Sequence, residues 1–337
     1  MGDLGVSFFF VFSGFLITYL LLKEKAITGN VSVKQFYVRR MLRIWPLYFF
    51  VITLGFFLVP AIITGKDASF FPFSAEAPLS QLAWYLLFAA NFDLVAHGVR
   101  GLMVAVLWSV SVEEQFYLLW PWINKFGRKN ILPLFIALVL MISFIYRVIN
   151  FKNSYILEYA SLSVFNDLGI GSLSAWLVIN SNKTMSFFHR LARWQIMFVY
   201  LIILALVLLR HLVYHCNEGT LAILLSLEPV VFSCLFAFVI LEQNFSVSGL
   251  IKISRLPFLS YLGRISYGLY CYHMICLFIV GWFMNGFFGE AMNNSSALFF
   301  AQIVLTLSLS IAVSAVSYKF LESPFLRLKE RFDTKVE

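Results

Sequence analysis

The sequence predicts an all-α protein that crosses a membrane several times as a helical bundle, and three observations predict it. Of its 337 residues, 61% are hydrophobic and only 12% are charged, with a mean hydropathy of +0.86. A soluble domain carries roughly 45–50% apolar and about 25% charged residues, so this chain has too little polar surface for water. The apolar residues also come in runs of about 18 or more, the length a helix needs to cross a hydrocarbon core. The Lys and Arg residues, finally, gather in the connections between those runs, as membrane topology requires.

Nine spans are expected in order. The first is Val6–Leu22, followed by a basic stretch from Lys23 to Arg43, and the second is Ile44–Ile63. Lys66–Ser80 is polar, and Pro72 and Pro78 break any helix there. Trp84–Ala90 is apolar but too short to span, which predicts a re-entrant or interfacial segment, and Asn91–Gly101 reads as a loop. Met103–Ile123 is the third span, bent or ended near Pro121. The rest are Ile131–Val148, Val164–Ile179, Ile196–Val213, Leu221–Leu241, Leu259–Phe283 and Leu298–Val316. The tail from Tyr318 to Glu337 is charged and predicts a short amphipathic helix starting near Pro324. No repeat period or soluble second domain is visible, so the chain reads as a single membrane domain over 1–337 with a short cytoplasmic tail over 318–337.

The net charge of +8 would suggest nucleic acid in a soluble chain, but no nucleic-acid module is visible. Placing the loop with Arg39, Arg40 and Arg43 in the cytoplasm puts 19 of the 25 Lys and Arg residues on that side. Only Lys66, Arg100, Arg147 and Lys152 then face the other way, and Arg210 and Arg264 lie within span ends. This asymmetry predicts a cytoplasmic C-terminus and, with nine spans, an outside Met1. Met1 is followed within four residues by an apolar run with no positive n-region, so it does not read as a signal peptide. A missing first helix is the simpler reading of an outside start.

The sharpest motif runs from Leu107 to Tyr117, Leu-Trp-Ser-Val-Ser-Val-Glu-Glu-Gln-Phe-Tyr. Two adjacent carboxylates inside a span are expensive, about 2.5–3.5 kcal/mol each at mid-bilayer. Ser109, Glu113, Phe116 and Tyr117 share one helix face, while Glu114 points about 100° away. One face thus offers a hydroxyl, a carboxylate and a phenol, with Glu113 and Tyr117 as candidate catalytic groups. A desolvated carboxylate can act as a general base or hydrogen-bond a hydroxyl acceptor. The alternative is that Glu113 or Glu114 pairs with an Arg or Trp to lock two helices.

The second motif, Val38-Arg39-Arg40-Met41-Leu42-Arg43-Ile44-Trp45-Pro46, puts three arginines where a cytoplasmic loop enters a span. Guanidinium forks bind phosphate bidentately, and coenzyme A is a phosphate-bearing donor made on that side. The alternative is a set of topological anchors at lipid phosphate. The third motif, Gly5 to Ile17, contains Ser13-Gly14, a small notch in a bulky helix that permits close helix approach. The fourth, Leu262 to His273, carries a histidine inside a span, either a proton shuttle or a group bonded in the bundle.

Other candidates are weaker. His97 lies in an outer loop near Trp108 and is placed to line an entrance, and His189 is a loop residue. His211 and His215 are spaced i, i+4, half a metal site, with only Glu218 near them, so no metal is expected. Three of the four cysteines, Cys234, Cys271 and Cys276, lie inside apolar runs, and with Cys216 they show no zinc or disulfide spacing.

In order and spacing these segments resemble the acyltransferase 3 family, membrane-bound O-acyltransferases of the O-antigen and exopolysaccharide acetylase type. The ending Ser317-Tyr318-Lys319-Phe320-Leu321-Glu322-Ser323-Pro324-Phe325 is similar to the family's closing motif. The resemblance covers nearly the whole chain. It implies a ten-span fold with cytoplasmic termini and transfer of an acyl group, usually acetyl, from cytoplasmic acyl-CoA. The acceptor would be a carbohydrate hydroxyl of polysaccharide, lipopolysaccharide, peptidoglycan or a small glycoside. It implies that Arg39, Arg40 and Arg43 face the coenzyme A and that Glu113 sits in the active-site pore. It also implies that this chain lacks the family's first helix, which carries an Arg and a catalytic histidine. Ser7 stands where many members have an Asp.

The expectation is therefore an integral O-acyltransferase of a bacterial inner membrane, with acetyl-CoA as donor substrate, a glycan acceptor, membrane lipids around it and no metal or nucleic acid. The alternatives are an exporter of a lipid-linked sugar or an inactive truncated remnant. Against the exporter, the sequence lacks two related halves with broken helices at matching positions.

Overall fold

A computed structural model describes residues 2–58, 79–127, 131–210, 217–249, 252–289, 292 and 295–332. The described residues are almost entirely helical and contain no strand. Seven helices are long and apolar enough to cross a membrane, or up to eight if a bent pair counts as one span. Those seven are Gly2–Thr28, Val33–Leu58, Ile131–Ile149, Ser154–Asn180, Glu218–Phe245, Ser266–Phe288 and Ser296–Phe332. The bent pair is Asn182–His189 and Arg193–Leu209, which meet at 95°.

Several expected boundaries move. The span expected at Met103–Ile123 is a one-turn helix, Leu102–Ala105, followed by Trp108–Phe126, whose 19 residues include Pro121 and continue beyond it. Glu113, Glu114, Gln115, Asn124 and Lys125 keep this helix off the apolar set. The loop expected at Asn91–Gly101 is instead the helix Ala90–His97, built around a buried Asp93 and ended by Gly98 at φ 73°. An apolar count misses it because it buries only two apolar side chains, Ala90 and Leu94, beside the polar Asn91 and Asp93. The span expected from Leu259 breaks at Ile265 into Pro257–Arg264 and Ser266–Phe288. The tail does form a helix, Ser323–Lys329, with Pro324 in its first turn, continuous with the preceding span through a π-helical turn at Tyr318–Glu322. Most of the stretch Lys66–Ser80, the end of the second expected span, His211, His215 and Cys216 lie outside the described residues.

The chain forms two compact units, one from residues 1–33 and 115–255, the other from residues 34–114 and 256–334. In the first unit the helix Ser161–Asn180 is the hub, buried along most of its length. It packs closely on Gly2–Thr28 because both are notched. A Cβ at Gly14 would run into the Leu168 carbonyl, and one at Gly171 into the Val11 carbonyl. Small residues let the two backbones touch, and Val11, Phe15, Ile170 and Ala175 close the contact. Side-chain bonds span the same seam. Thr18 donates to Ser172 at 2.9 Å and accepts from the Trp120 indole at 2.8 Å. In the second unit, Ser266–Phe288 packs along Ser296–Ser317, with Gly268 against Ser314.

Candidate active site

The second unit holds the arginine motif, the tyrosine–histidine motif and the Leu107–Glu114 part of the acidic motif. Its helix Val33–Thr53 carries the arginines at i, i+1 and i+4, on neighbouring faces of one turn. Arg39 and Arg40 are half-buried and Arg43 is exposed. Arg39 donates to the Phe332 carbonyl at 3.0 Å, from the end of the C-terminal helix. Arg40 lies 5.7 Å over the Phe36 ring and within electrostatic reach of Glu114. Arg43 lies within electrostatic reach of Glu322. This is a cationic strip flanked by carboxylates.

The carboxylates come from the start of Trp108–Phe126. Glu113 is buried at 5% exposure and Glu114 is half-buried. The Trp45 indole donates to Glu114 at 3.5 Å. Trp45 is in turn packed against Phe88, whose ring also stacks on Tyr48 with centroids 4.4 Å apart. Phe88 holds a φ of 53°, a left-handed conformation that costs a bulky residue about 1–2 kcal/mol. The aromatic stack around Trp45 is therefore bought with backbone strain, a pattern that recurs at functional sites.

One turn before Glu113, the Ser109 hydroxyl donates to the Tyr270 phenol at 2.7 Å, and Tyr270 donates to the Val106 carbonyl at 2.8 Å. Tyr267, one turn earlier on the same helix, donates to the Ile44 carbonyl at 3.1 Å, next to Arg43. His273 is half-buried, with Nδ1 at 2.6 Å from the Tyr270 carbonyl. That contact places the proton of the neutral ring on Nδ1 and leaves the Nε2 lone pair. The unit thus brings together the arginine segment, the Glu113–Glu114 pair and the tyrosine–histidine segment.

Tyr117 belongs to the first unit. Its hydroxyl shares a 2.5 Å bond with the Ser13 hydroxyl, beside the glycine notch. Ser7, on the same helix as Ser13, donates to Asp167 at 2.7 Å; Asp167 also takes bonds from Ser233 and Asn166. Among the described residues no group of three or more His, Cys, Asp and Glu gathers as a metal site.

Sequence reasoning did not assign Tyr267, Tyr270, Glu322 or Asp93 a role. Tyr267, Tyr270 and Glu322 stand inside quoted motifs, but nothing in spacing shows that a π-helical turn ends on a buried Glu322 beside Arg43. Asp93 gave no signal beyond a lone acid four residues before a histidine.

The acyltransferase domain profile of the acyltransferase 3 family matches residues 1–319. A Staphylococcus aureus COL protein named as a candidate O-acetyltransferase is 25% identical over 96% of this chain and 52% of its own length. An uncharacterised Haemophilus influenzae protein is 33% identical over 53% of this chain and 76% of its own. The peptidoglycan O-acetyltransferase OatA of Listeria monocytogenes is 35% identical over 36% of this chain and 19% of its own. The chain spans about half the length of the Staphylococcus aureus relatives it matches. No solved structure matches. With a family profile that covers all but the last 18 residues, the chain belongs to the acyltransferase 3 family.

Proposed function

We propose that this chain transfers an acyl group, typically acetyl, from cytoplasmic acyl-CoA to a hydroxyl of a carbohydrate in the bacterial cell envelope. The observation that carries the proposal is the convergence, within one compact unit, of the arginine strip with the buried Glu113 and the half-buried Glu114. Arg39, Arg40 and Arg43 hold the phosphates of the donor, for which the guanidinium fork is suited. Glu113 orients or polarises the acceptor hydroxyl. As the hydroxyl oxygen bonds to the acyl carbon, its proton leaves, the carbon–sulfur bond breaks and the departing thiolate is protonated. The C-terminus and the arginines lie on the cytoplasmic side of the inner membrane, with the acceptor on the other side. The name of the Listeria relative makes peptidoglycan one acceptor to test, beside surface polysaccharide and lipopolysaccharide.

The test uses the full-length native protein in membrane vesicles with labelled acetyl-CoA. Label should appear as base-labile acetate on envelope glycan and require the coenzyme A thioester. Glu113→Gln should lower the rate by about 100-fold or more, the usual contribution of a positioned proton acceptor. Normal glycan acetylation in that variant would remove Glu113 from the chemistry, and transport of a lipid-linked sugar without coenzyme A would replace the reading with an exporter.

A further inference from the structure

Away from the arginine strip, the second unit holds another polar cluster, on either side of the Trp84–Ala90 segment and reaching into the stretch read from sequence as a loop. Asp93 is fully buried, and its two oxygens are bonded from three sides. Gln81 donates to Oδ2 at 2.7 Å, Arg100 donates to Oδ1 at 3.1 Å, and His97 Nδ1 lies 2.8 Å from Oδ1. A buried carboxylate needs such partners, but Gln81 and Arg100 alone already give each oxygen a donor. The histidine is the surplus member, and its side chain is 46% exposed. What the contact does fix is the tautomer. In the neutral ring the proton sits on Nδ1 and the Nε2 lone pair is left for something else. The ring is held at a helix end, where Gly98 turns the chain and donates to the Leu94 carbonyl at 2.9 Å.

The cluster lies toward the far end of this unit from the arginines. Its segment is tied to the second half of the Val33–Leu58 helix, where Tyr48 donates to the Tyr85 carbonyl at 2.8 Å and the Phe56 and Tyr85 rings lie 5.3 Å apart. Sixteen helical residues from Arg40 to Phe56 are about 24 Å. The charge asymmetry that puts Arg39, Arg40 and Arg43 inside puts His97 outside.

We propose that Asp93, His97 and Arg100 form an acceptor subsite on the outward side, in which His97 Nε2 accepts a hydrogen bond from a carbohydrate hydroxyl. A sugar hydroxyl suits the site because it donates to Nε2 while its oxygen accepts from a guanidinium such as Arg100. Asp93 is the positioning residue that fixes the imidazole. This rests on the O-acyl transfer proposed above.

The experiment uses the full-length protein in right-side-out vesicles, with labelled acetyl-CoA inside and the envelope glycans of its host outside, as muramidase-solubilised cell wall together with extracted surface polysaccharide and lipopolysaccharide. His97→Phe keeps a ring and removes the lone pair. It should raise KM for the glycan about 3- to 10-fold, the range expected for one lost hydrogen bond, with KM for acetyl-CoA and kcat unchanged. His97→Gln, whose amide oxygen can accept, should recover part of the loss. An unchanged glycan KM in His97→Phe, or an equal rise in both KM values, overturns the subsite. His97→Cys should react with a membrane-impermeant maleimide from the outer face above the parent's background, and labelling from the inner face alone overturns its placement. If the parent transfers no acetyl to this glycan pool, the proposed function itself falls, and the subsite with it.

Discussion

The two units treat polar residues in opposite ways. In the first, polar side chains inside the bundle are consumed by one another. Asp167 takes bonds from Ser7, Asn166 and Ser233, and Arg147 donates to the carbonyls of Leu157, Ser163 and Leu225. In the second, charge is set out along a partly open strip, with Arg39 and Arg40 half-buried, Arg43 exposed and carboxylates at 114 and 322 beside them. An ionisable residue in an apolar helix marks function by default, but Arg147 and Asp167 show a second use, the joining of helices. What separates the uses is where the group's bonding capacity is directed, inward to other helices or along a surface that a phosphate can reach.

The largest expected effect tests the closed side of this contrast. Gly171→Leu would drive a side chain into the Val11 carbonyl and the Phe15 amide, both of them backbone. Neither can rotate away, so the seam between Gly2–Thr28 and Ser161–Asn180 must separate. The variant should fail to accumulate as a folded, monodisperse protein in detergent. A stable Gly171→Leu protein with a parental melting temperature would show that the two helices are not held by backbone contact.

A middle-sized effect tests the open side. Arg39→Gln, Arg40→Gln and Arg43→Gln should each raise KM for acetyl-CoA about 10- to 100-fold, the range for one charge-assisted hydrogen bond to phosphate. Thermal stability should change least for the exposed Arg43→Gln and somewhat more for Arg39→Gln, which gives up its bond to the Phe332 carbonyl. If instead stability falls and KM holds, the strip is an anchor for the C-terminal helix through Phe332 and Glu322, and the contrast between the units disappears.

The contrast also explains what could be read from the sequence. The long spans were legible because eighteen apolar residues have few other solutions, and the Ser13-Gly14 notch announced a close helix approach that Gly171 completes. The Leu107–Tyr117 motif was legible because two acids in a span are costly. The helix Ala90–His97 was hidden because its buried apolar face is only Ala90 and Leu94, and the rest of its burial is polar, centred on Asp93 and its three partners. Tyr117 was grouped with Glu113 from helical periodicity, yet the structure gives it a partner of its own in Ser13, 104 residues away in sequence. Periodicity tells which residues share a face and is silent on which neighbour that face meets.

The smallest effect concerns that same seam. Thr18 and Ser172 bond across it at 2.9 Å, and both side chains are fully buried. A simple view holds that such a bond is strong in lipid because its alternative is an unsatisfied group. The unfolded chain in a membrane also finds partners, however, and measured couplings average about 0.6 kcal/mol with a maximum near 1.7. A double-mutant cycle of Thr18→Val and Ser172→Ala, read by reversible unfolding in detergent, should therefore give a coupling of about 0.6 kcal/mol. Thr18 also accepts from Trp120, so the single Thr18→Val variant should lose more than the coupling alone. A coupling near zero would leave the glycine contact and the packing of Val11, Phe15, Ile170 and Ala175 to hold the seam. One well above about 2 kcal/mol would mean that hydrogen bonds, not backbone approach, set how closely these helices pack.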